Sequence, residues 1–191
     1  MPSESFSIVI KKPIKDFKKN IIVDSDKSIS IRSFLIGSIC EGISKVKNVL
    51  ESEDVFSTIK CLRKLNVKIN YRGKKTYEVF GRGLGSYVAK NNTKLNFGNS
   101  GTLARLIVGI ISSTPNINIK IFGDKSLNKR SMKKLIDLMT RFGVEFSPKN
   151  KFLFPLSISS SNYPIGISYK SGTSAQLKSA VILAGLNSYG E

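Results

Sequence analysis

The sequence predicts an α/β (α+β) domain built from repeated βαβαββ units with buried helices, the third unit being incomplete. Three observations lead there. The heptapeptide Ser100-Gly101-Thr102-Leu103-Ala104-Arg105-Leu106 returns as Ser171-Gly172-Thr173-Ser174-Ala175-Gln176-Leu177, offset by 71 (171 − 100), with five of seven residues identical. Each copy opens an apolar segment of helical length. The elements after the first copies keep one order: strand, amphipathic helix, two short strands. A fainter copy, Lys27-Ser28-Ile29-Ser30-Ile31-Arg32, sets Arg32 73 positions before Arg105 (105 − 32).

Periodicity assigns the elements. Ile29 to Cys40, Leu103 to Ile111 and Leu177 to Leu186 are apolar almost all round, the pattern of buried helices. Strands are expected at Lys45 to Val49 and Ile117 to Phe122. Val55, Ile59, Leu62 and Leu65 recur at helical spacing with Lys60, Arg63 and Lys64 opposite, as do Met132, Leu135, Ile136, Met139 and Phe142. Val67 to Tyr71 with Thr76 to Phe80, and Val144 to Ser147 with Phe152 to Ile158, read as hairpins around Arg72-Gly73-Lys74 and Pro148-Lys149-Asn150. The units run over about 24–90, 91–160 and 161–191. Gly81-Arg82-Gly83-Leu84-Gly85 is similar to a phosphate-binding glycine loop, but Asn91-Asn92 and another strand come after it where a helix is required, so it reads as a linker.

Composition bounds the function. The longest apolar runs, such as Phe34 to Cys40 and Leu106 to Ile111, fall far short of the roughly 20 residues of a membrane helix, and Met1 to Lys19 lacks the apolar stretch of an export signal. A soluble, cytoplasmic chain is expected. Cys40 and Cys61 have no partner motif, which suits a reducing compartment and core thiols. The 31 Lys+Arg against 13 Asp+Glu give +18. Solvated lysines scattered by compositional drift account for this, and so does a positive field that draws small anions into a cleft. Nucleic acid is not expected, because basic residues and stacking aromatics are not gathered together.

The chemistry lies at the helix starts. Each buried helix begins with small polar residues, and a helix N-terminus offers unpaired N–H groups and partial positive charge to an anion. Lys27, Arg32, Arg105 and Arg130 stand at or near such starts, and a guanidinium grips carboxylate or phosphate with two donors. Plain N-capping by Ser and Thr also explains the polar residues, though not the cations beside them. With no His in the chain, a Ser-His or Cys-His pair and a His-based metal site are excluded. Glu53-Asp54 opens a helix, where acids complement the dipole.

Asp26-Lys27-Ser28-Ile29-Ser30-Ile31-Arg32, Gly98-Asn99-Ser100-Gly101-Thr102, Gly123-Asp124 through Lys129-Arg130, and Ser174-Ala175-Gln176-Leu177-Lys178-Ser179-Ala180 resemble, in order and spacing, the motifs of the 5-enolpyruvylshikimate-3-phosphate (EPSP) synthase family. The resemblance covers the chain from about Lys12 onward. It implies an enolpyruvyl-transferase fold of two domains, each made of βαβαββ units. The implied activity is transfer of the enolpyruvyl group of phosphoenolpyruvate to the 5-hydroxyl of shikimate 3-phosphate, releasing phosphate, on the route to aromatic amino acids. No cofactor or metal is implied. Lys27, Ser28, Arg32, Ser174, Ala175 and Gln176 would hold shikimate 3-phosphate. Lys27, Asn99, Gly101, Arg130 and Gln176 would hold phosphoenolpyruvate, and glyphosate would compete there.

The resemblance also sets expectations about extent. Residues 1–23 would be strands of a second domain, and that domain would carry the proton-transfer carboxylates, so the chain reads as an inactive piece of an enzyme that is monomeric when complete. The sister family, UDP-N-acetylglucosamine enolpyruvyl transferase, is an alternative. It pairs its first lysine with Asn where Ser28 stands here, and carries a loop cysteine in a region that has none here after Cys61. A non-catalytic basic binding module is a more distant alternative.

Overall fold

A computed structural model describes residues 9, 23–90, 92–170, 172–186 and 188. The strands expected in residues 1–23 therefore lie outside the described residues, apart from Val9 and Val23. In chain order the elements are α1 (Lys27–Ile39), β1 (Ile43–Val46), α2 (Glu53–Lys64), β2 (Lys68–Tyr71), β3 (Tyr77–Phe80), β4 (Lys94–Asn96), α3 (Gly101–Ser112), β5 (Asn118–Phe122), α4 (Lys133–Arg141), β6 (Glu145–Ser147), β7 (Leu156–Ser159) and α5 (Ala175–Leu186). A 3₁₀ turn, Leu127–Lys129, lies between β5 and α4.

The middle unit, β4-α3-β5-α4-β6-β7, is a complete βαβαββ. The first shows αβαββ among the described residues, and the third shows α5. Pairing repeats as well. One sheet is ordered β1-β3-β2 and the other β4-β5-β7-β6, so β1, β3 and β2 correspond to β5, β7 and β6. These pairs are antiparallel, while β4 runs parallel to β5 with Lys94 opposite Lys120.

Helix α3 is the centre of the core. Thr102, Leu103, Ala104 and every residue from Leu106 to Ser112 are buried. Each buried Leu or Ile contributes on the order of 1.5–3 kcal/mol through removal from water. The approach of α5 is close enough that a Cβ built on Gly109 would stand 2.3 Å from the Ala180 carbonyl oxygen, so only glycine permits this crossing. α2 and α4 cover the core with one apolar face each. In α2, Glu53 and Asp54 in the first turn and Arg63 and Lys64 in the last complement the helix dipole.

Several boundaries differ from expectation. β1 ends at Val46, because Asn48 turns the chain with φ 52° and Val49 bonds Lys75 outside the ladder. β7 begins after Pro155, whose missing N–H cannot join a ladder, so the strand expected from Phe152 is shorter. Of the three helices expected to be buried, α3 is covered along nearly its whole length, and α1 and α5 only in part. Ile29 and Ile36 on α1, and Ile182 and Leu186 on α5, are exposed. Cys40, expected as a core thiol, caps α1 and is exposed, whereas Cys61 is buried. No helix among the described residues is long and apolar enough to cross a membrane.

Candidate anion-binding site

Three helix starts are capped by the residues that precede them. Asp26 accepts from the Ile29 N–H at 2.7 Å, Ser100 from Leu103 at 3.2 Å, and Ser174 from Leu177 at 3.4 Å. Capping and anion binding are thus not exclusive here: one side chain satisfies one donor. Helix geometry still leaves the Gly101 and Thr102 N–H groups without an intrahelical acceptor.

These starts converge on a cavity of about 260 Å³ lined by Lys27, Asp54, Asn99, Gly101, Thr102, Arg105, Arg130 and Gln176. All five residues assigned to phosphoenolpyruvate line it. Ser28, Arg32, Ser174 and Ala175 do not. Arg32 turns its Nη1 to the Ser28 carbonyl at 3.2 Å, Ala175 is exposed at the head of α5, and Ser174 lines a neighbouring cavity of about 440 Å³ together with Gln176, Arg105 and Lys134.

Each lining side chain is held by another. Arg130 closes the 3₁₀ turn, three residues before α4 begins, and its Nη2 donates to Asn99 Oδ1 at 2.8 Å and to Ser126 Oγ at 3.3 Å. Arg130, expected at or near a helix start, thus stands in the connection just ahead of α4 and not on the helix itself. Arg105 Nη1 donates to the Gly101 carbonyl and to Gln176 Oε1, both at 3.0 Å, and Gln176 Nε2 donates to Thr102 Oγ1 at 3.0 Å. Lys27 Nζ lies 2.9 Å from Asp54 Oδ2. Burial pulls the Arg105 guanidinium below its usual range, and the nearby Arg130 charge pulls it the same way.

Three lining residues are not assigned to a substrate by the sequence. Thr102 stands one place beyond Gly101 in the same motif. Arg105 is recognisable as a cation at a helix start, but no substrate is implied for it. Asp54 reads only as a dipole partner, and no spacing rule links it to Lys27. Three cations against one carboxylate, a helix start, and amide side chains of Asn99 and Gln176 form a lining suited to a small anion bearing phosphate or carboxylate groups.

One complete βαβαββ unit flanked by partial copies, with a cation-lined cavity where their helices begin, defines an α/β domain of the enolpyruvyl-transferase kind. The chain belongs to the EPSP synthase (3-phosphoshikimate 1-carboxyvinyltransferase) family, whose model matches residues 11–191. It is 38% identical over 170 residues to 3-phosphoshikimate 1-carboxyvinyltransferase of Paramagnetospirillum magneticum (strain ATCC 700264 / AMB-1), covering 88% of this chain and 38% of the relative. The corresponding enzyme of Bacillus cytotoxicus is 40% identical over 178 residues, covering 92% and 41%. A solved structure of EPSP synthase from Acinetobacter baumannii superimposes with a TM-score of 0.81 at 34% identity, over 89% of this chain and 38% of that one. The chain thus spans about two-fifths of the length of the curated relatives it matches.

Proposed function

We propose that these residues form one wall of the active site of an enolpyruvyl transferase that joins the enolpyruvyl group of phosphoenolpyruvate to the 5-hydroxyl of shikimate 3-phosphate and releases phosphate. The observation that carries the reading is the meeting of Lys27, Asn99, Gly101, Arg130 and Gln176 on one cavity, although they come from separate stretches of sequence. Their work is to bind and to neutralise. Two substrates that each bear phosphate and carboxylate repel one another, and fixed cations with an open helix start let them approach in reacting geometry. Ser28, Arg32, Ser174 and Ala175, which do not line the cavity, are proposed to hold shikimate 3-phosphate, with Lys27 and Gln176 serving both substrates.

The remaining parts of the scheme rest on family membership. Glyphosate is proposed to compete in the phosphoenolpyruvate subsite. We assign no proton-transfer group to these residues, and the transfer as written draws on no cofactor. The setting is cytoplasmic, in keeping with two free thiols, and the complete enzyme is a monomer. Phosphate release measured with both substrates tests the division of labour. The isolated 191-residue chain should stay at background while still binding shikimate 3-phosphate, whereas turnover above background would place the proton-transfer chemistry within it.

A further inference from the structure

We propose that Asp54 is a positioning residue for Lys27, its carboxylate ordering the ammonium at the cavity before an anion arrives; this rests on reading the cavity as the phosphoenolpyruvate subsite. Lys27 is the first residue of α1 and Asp54 the second of α2, so the 2.9 Å contact ties the starts of two helices together. The lysine side chain is half exposed and carried on a flexible stem, while the Asp54 side chain is only 17% exposed. The less exposed partner therefore fixes the more exposed one. Serving the helix dipole would account equally for Glu53, yet of the two acids only Asp54 lines the cavity.

Charge alone makes Asp54 a poor choice. Among the described residues it is the one acid facing Lys27, Arg105 and Arg130 on the lining, and a carboxylate there weakens the field that attracts an anion. Ordering works in the opposite direction. A long side chain that must be immobilised on binding costs affinity, and one already held does not. The two effects predict opposite signs when the charge is removed.

The test is titration of the 191-residue chain with inorganic phosphate, alongside Asp54→Asn, Asp54→Glu, Lys27→Met and the Lys27→Met/Asp54→Asn double variant. Positioning predicts that Asp54→Asn weakens phosphate by roughly 2- to 10-fold without a matching loss in melting temperature. Asp54→Glu should recover most of the affinity. In the Lys27→Met background, Asp54→Asn should instead tighten binding, because only the charge effect is left. Unchanged or tighter binding in Asp54→Asn alone overturns the proposal. A second readout does not depend on phosphate: ¹⁵N spectra of the lysine ammonium groups should show a hydrogen-bonded Lys27 signal that Asp54→Asn abolishes. If the wild type shows no such signal, Asp54 does not hold Lys27. If that signal is present and phosphate does not bind, Asp54 still orders Lys27 and the reading of the cavity fails.

Discussion

Arg105 Nη1 donates at 3.0 Å to both the Gly101 carbonyl and Gln176 Oε1, so one guanidinium joins the first turns of α3 and α5 across 71 residues of sequence. That nitrogen also sets the space above Gly101. A Cβ built there would lie 2.8 Å from Arg105 Nη1 and 3.6 Å from Arg130 Nη1. Gly101→Ala should therefore push Arg105 aside and loosen Gln176, even though alanine favours the helix by roughly 1 kcal/mol. In a full-length enzyme containing this segment, inhibition curves competitive with phosphoenolpyruvate should show resistance to glyphosate and a raised KM for phosphoenolpyruvate. Equal inhibition constants for the two proteins would remove Gly101 from the site.

Arg130 is fixed by Asn99 and Ser126 through a single nitrogen, Nη2. An ammonium cannot both keep those partners and present a planar fork to a phosphate. Arg130→Lys should weaken phosphoenolpyruvate by about 1.5–3 kcal/mol, the range for a hydrogen bond to a charged group, and leave shikimate 3-phosphate nearly unchanged. Calorimetric titration with each substrate checks this. Equal losses for both would make Arg130 a prop of the loop.

Whether a feature is legible in the sequence depends on whether its signal is local. The repeat and the apolar run place α3 within two residues at its start, and the same run that identifies it is buried except at Arg105. Boundaries set by one backbone conformation are only faintly legible: Asn48 at φ 52° stops β1, and the sole hint in Lys45 to Val49 is that asparagine tolerates this conformation. The residues of the cavity can be found where they sit in the repeated motifs. Asp54 cannot, because its pairing with Lys27 depends on how α1 packs on α2. Ser28 and Arg32 share a motif with Lys27, yet they do not line the cavity that Lys27 lines.

Helix packing supplies a stability prediction. With the Ala180 carbonyl oxygen 2.3 Å from where a Gly109 Cβ would stand, and Ala180 itself fully buried, Gly109→Ala must separate α3 from α5. The cost should be about 1–3 kcal/mol, as for other overpacked cores. Thermal unfolding followed by circular dichroism reads it, and an unchanged melting temperature would mean that α5 is not seated as described.

The two thiols should behave differently. Burial pushes the Cys61 thiol up to about 12 from 9.0, with Lys64 pulling partly back, whereas Cys40 is exposed. A thiol-specific reagent at pH 8 should label Cys40 alone in the native chain. The raised value also has a stability consequence. Above pH 9 the unfolded chain sheds the thiol proton while the folded chain keeps it, so this contribution is present below pH 9 and is lost as pH rises from 9 to about 12. Rapid native labelling of Cys61 would contradict its burial.

That phosphoenolpyruvate binds where α3 and α5 begin can be tested by a ¹⁵N NMR titration of the 191-residue chain with phosphoenolpyruvate, repeated in the presence of shikimate 3-phosphate. The largest shifts should fall on the Gly101 and Thr102 amides and on the side-chain amides of Asn99 and Gln176. Shifts spread over the surface lysines, or centred away from this cavity, would show that the anion binds elsewhere.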